Sequence, residues 1–139
     1  MSSIQHKQEE IVQEFSIFED WMEKYEYIIE LGKDLSGLDV SEKSDDKLIE
    51  GCQSRVWLKT EINDGKMNFY ADSEAIIAKG IIGLLIRVFD NESPEDIVKA
   101  ELNFIDEIGL REHLSITRSN GLLGMIKKIK TSALLAVNK

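Results

Sequence analysis

The chain contains a single cysteine, Cys52, in the run Gly51-Cys52-Gln53-Ser54-Arg55. A cysteine reacts as its thiolate, and a cationic or hydrogen-bonded setting makes the thiolate available near neutral pH. Gly51 permits sharp backbone geometry and close approach by another molecule. Gln53 and Ser54 bring polar hydrogens, and Arg55 brings a positive charge nearby in sequence. Spacing alone does not say whether Arg55 points at the sulfur. An apolar pocket would act the other way, raising the thiol's pKa and shielding it from oxidants. Lone cysteines are commonly small buried apolar residues. An inert core cysteine belongs inside an element, however, whereas Cys52 follows a glycine at the end of a polar stretch.

A cysteine hydrolase would need a base, and the chain has two histidines. His6 lies in an N-terminal segment expected to fray. His113, in Arg111-Glu112-His113-Leu114, is the remaining candidate, and only geometry can pair it with Cys52. One cysteine excludes an intramolecular disulfide, and also a Cys-based zinc finger or Cys-ligated iron–sulfur cluster held by this chain alone. No Gly-rich phosphate loop of the common forms is present.

The net charge of −9 opposes binding to nucleic acid and to anionic membranes. The imbalance lies wholly in residues 1–50, whereas residues 111–139 carry a net +5. Two readings stay open: the opposite charges balance within the fold and in solvent, or they form a charge-steered partner surface. The first ten residues are polar and then acidic, without the apolar core of a signal peptide. The longest apolar stretch, Gly80 to Ile86, is far short of the about 20 residues needed to span a bilayer. A cytoplasmic protein with a reduced thiol is expected. At 139 residues and 42% hydrophobic, the chain suits one domain over residues 1–139 with its own core.

The elements that must position Cys52 follow from periodicity. Ile4, Ile11, Val12 and Phe15 predict a first helix over 4–15. Ser16-Ile17-Phe18-Glu19 has the form of a capping box, predicting a second helix from there to Leu31, with Gly32 placed to end it. That helix carries an apolar face of Phe18, Trp21, Tyr25 and Ile28, and a glutamate stripe of Glu19, Glu23, Glu26 and Glu30 expected to be solvated. Residues 34–50 read as a long polar loop. Val56, Leu58, Thr60 and Ile62 then alternate with Arg55, Trp57, Lys59 and Glu61. Asn63-Asp64-Gly65 signals a hairpin, and Met67, Phe69 and Ala71 alternate on the return strand. A nearly all-apolar helix is expected from Ser73 to Phe89, with close packing at Gly80 and Gly83. Ser93-Pro94-Glu95-Asp96 reads as a helix start. An irregular piece follows near Glu101–Phe104, and a last helix runs over Ser119–Ala136. Helices flanking a small antiparallel sheet make an α+β fold.

Gly51-Cys52-Gln53-Ser54-Arg55-Val56-Trp57 closely resembles the core motif of the SufE family of sulfur-acceptor proteins. Trp21 to Gly32 is similar to the family's N-terminal helix. Ala71-Asp72-Ser73 with Lys79-Gly80 resembles the segment after its second strand, and Thr117-Arg118-Ser119-Asn120-Gly121-Leu122 the start of its last helix. The similarity spans roughly residues 8–133 and departs where the family often carries proline, near 35–38 and 115–117. It implies a SufE/NifU-like α+β domain acting in iron–sulfur cluster biogenesis. It implies a SufS-type cysteine desulfurase as partner, whose pyridoxal phosphate belongs to that enzyme and not to this chain. Cys52 would accept sulfur as a persulfide, stimulate the desulfurase, and relay the sulfur to a SufBCD scaffold complex. Gly51, Gln53, Ser54 and Arg55 would support the loop. Arg118, matching a family arginine, would place the partner or stabilise negative charge. A CsdE-type acceptor serving a different desulfurase is the near alternative. A cluster scaffold of the NifU/IscU type would need three cysteines, and a stand-alone cysteine hydrolase would need His113 beside Cys52.

Overall fold

The structure is a computed structural model that describes residues 3–35, 37–52 and 54–138. Helix α1 (Ser3–Phe15) buries Ile4, Gln8, Ile11 and Phe15, a single stripe at helical spacing. Gln8 is the polar member of that stripe, and its amide is fully used. Its Nε2 donates to the Glu101 carbonyl at 3.0 Å, and its Oε1 accepts from the Asn103 and Phe104 amides. The irregular piece after α4 (Pro94–Lys99) is thereby fixed to α1 and leads into two one-turn helices, α5 (Phe104–Glu107) and α6 (Leu110–His113).

Helix α2 spans Trp21–Lys33 and starts later than the Ser16 motif suggested. Ser16 ends α1 instead, its amide bonding to the Val12 carbonyl and its hydroxyl to Gln13. The cap is Asp20, whose carboxylate accepts from the Glu23 amide at 2.9 Å. Gly32 does not end the helix, which continues through Lys33 to a cap at Asp34. It serves packing against α3 (Ile76–Phe89): a Cβ on Gly80 would lie 2.2 Å from the Ile28 carbonyl oxygen, and one on Gly32 2.7 Å from the Gly80 nitrogen. The close packing expected at Gly80 is present, while Gly83 meets only ordinary contact distances.

Strands β1 (Val56–Asn63) and β2 (Lys66–Ser73) pair antiparallel, from Val56 opposite Ser73 to Asn63 opposite Lys66. Asp64 and Gly65 both have positive φ, as the expected two-residue turn requires. Met67, Phe69 and Ala71 are buried; on β1 burial covers Val56, Trp57 and Leu58 and then stops, so Thr60 and Ile62 project beyond the core. Trp57 points to the face opposite Val56 and Leu58, yet is buried. The 34–50 segment covers it, with Leu48 bridging to Trp57 and Lys43 Nζ 5.2 Å from its ring.

That segment contains two 3₁₀ turns, Val40–Glu42 and Asp45–Lys47, and is tied down by Asp72. Asp72 Oδ2 accepts from the Leu38 amide and Oδ1 from the Ser73 amide, and its carboxylate pairs with Lys43 at 3.2 Å and Lys79 at 3.4 Å. Burial works against this charge. The two amide hydrogen bonds and the two ammonium groups outweigh it and hold the carboxyl below its ordinary value. Asp72 and Ser73 end β2, and α3 begins at Ile76 after an N-cap at Ala75, three residues later than the expected start at Ser73.

Helix α7 (Ile116–Val137) begins three residues earlier than its apolar periodicity indicated, because Ser115 supplies the cap to the Arg118 amide. The two-stranded sheet flanked by helices is the expected α+β architecture among the described residues. No described helix is long and apolar enough to cross a membrane.

Candidate functional site

Cys52 lies on a short loop that is closed at its base. The Ile49 amide donates to the Val56 carbonyl at 2.9 Å, so Glu50, Gly51 and Cys52 leave, and Ser54 and Arg55 rejoin, a pair of bonded positions. Gly51, at φ +91°, turns the chain just before the cysteine. The underside rests on α7 through two glycines. A Cβ on Gly124 would lie 2.2 Å from the Glu50 carbonyl oxygen, and one on Gly121 3.4 Å from Cys52 Sγ. The loop seats where α7 has no side chains.

The thiol is half-buried and free. Its Sγ lies 3.7 Å from the Gly121 carbonyl oxygen, the geometry of a weak S–H donor. Beside it is a cavity of about 50 Å³. Ala75, Ala78, Ile81 and Met125 form apolar lining, and Ser54, Thr117 and Arg118 add polar groups. A single water needs about 10–15 Å³, so the cavity has room for a small group attached to the sulfur. Burial pushes the Cys52 thiol up from its ordinary value. In this position the sulfur is protonated and quiet at neutral pH.

The sequence-level candidates separate here. Gly51, Cys52 and Ser54 share the loop, and Cys52, Ser54 and Arg118 meet at the cavity. Arg118 is in the first turn of α7, its side chain exposed, with no ion pair among the described residues. A cation there opposes the helix dipole, a local cost of about 0.3–1 kcal/mol. It also adds positive potential where a sulfur anion would sit. Arg55 brings no such charge to the cavity. Its guanidinium is held by Glu74 and lies over the Trp57 ring at 5.4 Å. Gln53 lies outside the described residues.

His113 is engaged elsewhere. Its Nδ1 donates to the Gly109 carbonyl at 2.8 Å, and its ring stacks on Trp21 at 4.5 Å. His6 Nε2 lies 3.0 Å from Glu10 on the same helix. No imidazole lines the Cys52 cavity, and no group of three potential metal ligands occurs among the described residues. Sequence reasoning missed Gly121 and Gly124. The available signal was two glycines within one amphipathic helix, where each costs about 1 kcal/mol relative to alanine without a packing role.

Three comparisons bear on this arrangement. The family described as "SufE: Fe-S metabolism associated domain" matches residues 9–133. An uncharacterised SufE-like protein of Rhizobium meliloti is 33% identical over 130 residues, covering 90% of this chain and 93% of the relative. The solution structure of a hypothetical protein from Thermus thermophilus superposes with a TM-score of 0.78 at 18% identity, over 96% of this chain and 97% of that one. At that identity the likeness speaks for the fold alone.

Proposed function

This chain belongs to the SufE family, associated with iron–sulfur metabolism, and from that premise we propose that it is a sulfur acceptor working on Cys52. The donor is a SufS-type cysteine desulfurase that carries a persulfide and holds its own pyridoxal phosphate. The Cys52 thiolate attacks the outer sulfur of that persulfide. The donor's S–S bond breaks, its cysteine leaves as a thiolate, and a new S–S bond joins the transferred sulfur to Cys52. The proton lost by Cys52 passes to the departing thiolate or to solvent. The sulfur keeps its oxidation state, so no separate oxidant or reductant enters.

The observation that carries this reading is a solitary thiol in a small, mostly apolar cavity. A second cysteine nearby would resolve the persulfide into a disulfide and release sulfide; the chain has none. In its resting position the thiol is held protonated, and the loop must lift off Gly121 and Gly124 to deliver it to the donor. When it returns, the cavity beside Sγ can house the outer sulfur. Arg118 and Thr117 border that space, and Arg118 is placed to favour the persulfide anion. Ile116 and Ile76, 84% and 64% exposed and next in sequence to the lining residues Thr117 and Ala75, would offer the donor apolar surface. The sulfur then passes to a SufBCD scaffold in the cytoplasm.

The test is desulfurase turnover, read as alanine released from cysteine, with and without this protein. Stimulation by the wild type and none by Cys52→Ser is the expected result. Equal stimulation by both proteins overturns the assignment of Cys52. Running SufS-type and CsdA-type donors side by side identifies which is served.

A further inference from the structure

The Cys52 loop is a thin partition between two hollows. On one side Cys52 and Gly121 line the sulfur cavity. On the other, Glu50 and Gly51 form part of the wall of a surface groove of about 700 Å³ between residues 45–51 and α7. Leu48, Leu123 and Gly124 supply its apolar surface, and Leu123 is 54% exposed. Its walls differ in sign. Asp45, Asp46 and Glu50 stand on the loop side, Lys127 and Lys128 on the helix side. None of Asp45, Glu50, Lys127 and Lys128 has an ion-pair partner among the described residues. The acids come from the chain's acidic first third and the lysines from its basic last fifth. Folding therefore gathers both ends of the charge asymmetry around one groove.

We propose that this groove seats an extended segment of the donor desulfurase. The segment places an apolar side chain on Leu48 and Leu123, a basic residue towards Asp45, Asp46 and Glu50, and an acidic residue towards Lys127 and Lys128. The proposal rests on the sulfur-acceptor reading and adds where the donor is gripped. A two-signed rim admits a segment in one orientation and repels a ligand of uniform charge at one wall or the other. The groove also shares Glu50 and Gly51 with the reactive loop, so a segment seated there lies against the backbone that carries the thiol.

The test titrates full-length protein against a SufS-type desulfurase and reads the concentration that half-saturates stimulation. The double variant Lys127→Glu/Lys128→Glu raises that concentration by about tenfold or more, and added salt narrows its gap from wild type. Leu123→Ser raises it by a similar factor without adding a charge to the groove. Lys33→Glu, on α2, keeps it within about twofold of wild type. Far-UV circular dichroism confirms that each variant is folded before it is assayed. Half-saturation unchanged in both groove variants, with a wild type that stimulates normally, overturns the groove. A wild type that stimulates no desulfurase overturns the acceptor reading itself.

Discussion

At the α2–α3 crossing, a Cβ on Gly80 would lie 2.2 Å from the Ile28 carbonyl oxygen; at the α7–loop contact, a Cβ on Gly124 would lie 2.2 Å from the Glu50 carbonyl oxygen. The distances match, and the surroundings do not. Ile28, Gly32, Gly80 and Ile81 are all buried, so neither helix can yield without opening the core. Glu50 and Gly51 are exposed, and Gly121 holds the loop through one weak S–H contact. The same device, backbone meeting backbone where a side chain is missing, is sealed in the core in one place and open to solvent in the other. What separates them is the apolar surface sealed around each contact.

Adding the missing methyl at each place should separate the two contacts most clearly. Gly80→Ala should cost about 3 kcal/mol or more, since the clash is with backbone in a packed core. Urea unfolding reads it directly. Gly124→Ala should change stability by no more than about 1 kcal/mol, because the loop moves aside and the helix gains propensity. Its effect should appear as faster Cys52 alkylation, on the order of tenfold, as the loop rides up off α7. Equal destabilisation by the two substitutions would show that the loop is as fixed as the helix crossing.

Asp72 anchors the 34–50 segment that leads into the loop. Asp72→Asn removes the charge that Lys43 and Lys79 share and should lower stability by about 1–2 kcal/mol at neutral pH. The sign with pH follows from the lowered carboxyl. Its stabilisation is complete above the unfolded-state value and is lost as pH falls through the folded-state value. The gap between variant and wild type should therefore close in acid, and a gap that persists there would remove the charge from the explanation.

The smallest effect concerns the thiol. A raised thiol keeps its proton to higher pH in the folded protein. The Cys52 alkylation profile should thus have a midpoint above that of the urea-unfolded chain. The corresponding stabilisation is present below the unfolded thiol value and fades as pH rises through the folded one. A midpoint at or below the unfolded value would mean that the loop already stands open.

Much of this was legible in the residues, for definable reasons. The Asn63-Asp64-Gly65 turn, the apolar α3 and the position of Cys52 rest on local signals of turn chemistry, periodicity and motif. The Ser16 motif misled because Asp20 offers the same cap four residues later, and tertiary contacts of Phe18 with Phe15 and Tyr27 set the entry to α2. Trp57 is buried on the outward face of its strand because a distant polar segment folds over it. The start of α5 is held by Gln8, nearly a hundred residues away in sequence. The seat of Cys52 is set by Gly121 and Gly124 on a helix whose contact with the loop no local pattern announces. Arg55 adjoins the cysteine in sequence and Arg118 does not, yet it is Arg118 that borders the sulfur cavity.

Sulfur acceptance by Cys52 is read most directly in an intact mass spectrum of the protein after incubation with an active cysteine desulfurase and cysteine, without reductant. A gain of one sulfur atom, mapped to the peptide bearing residue 52, is the expected result, with no gain for Cys52→Ser. An unchanged mass while the desulfurase is demonstrably turning over, or a gain that survives the substitution, would contradict it.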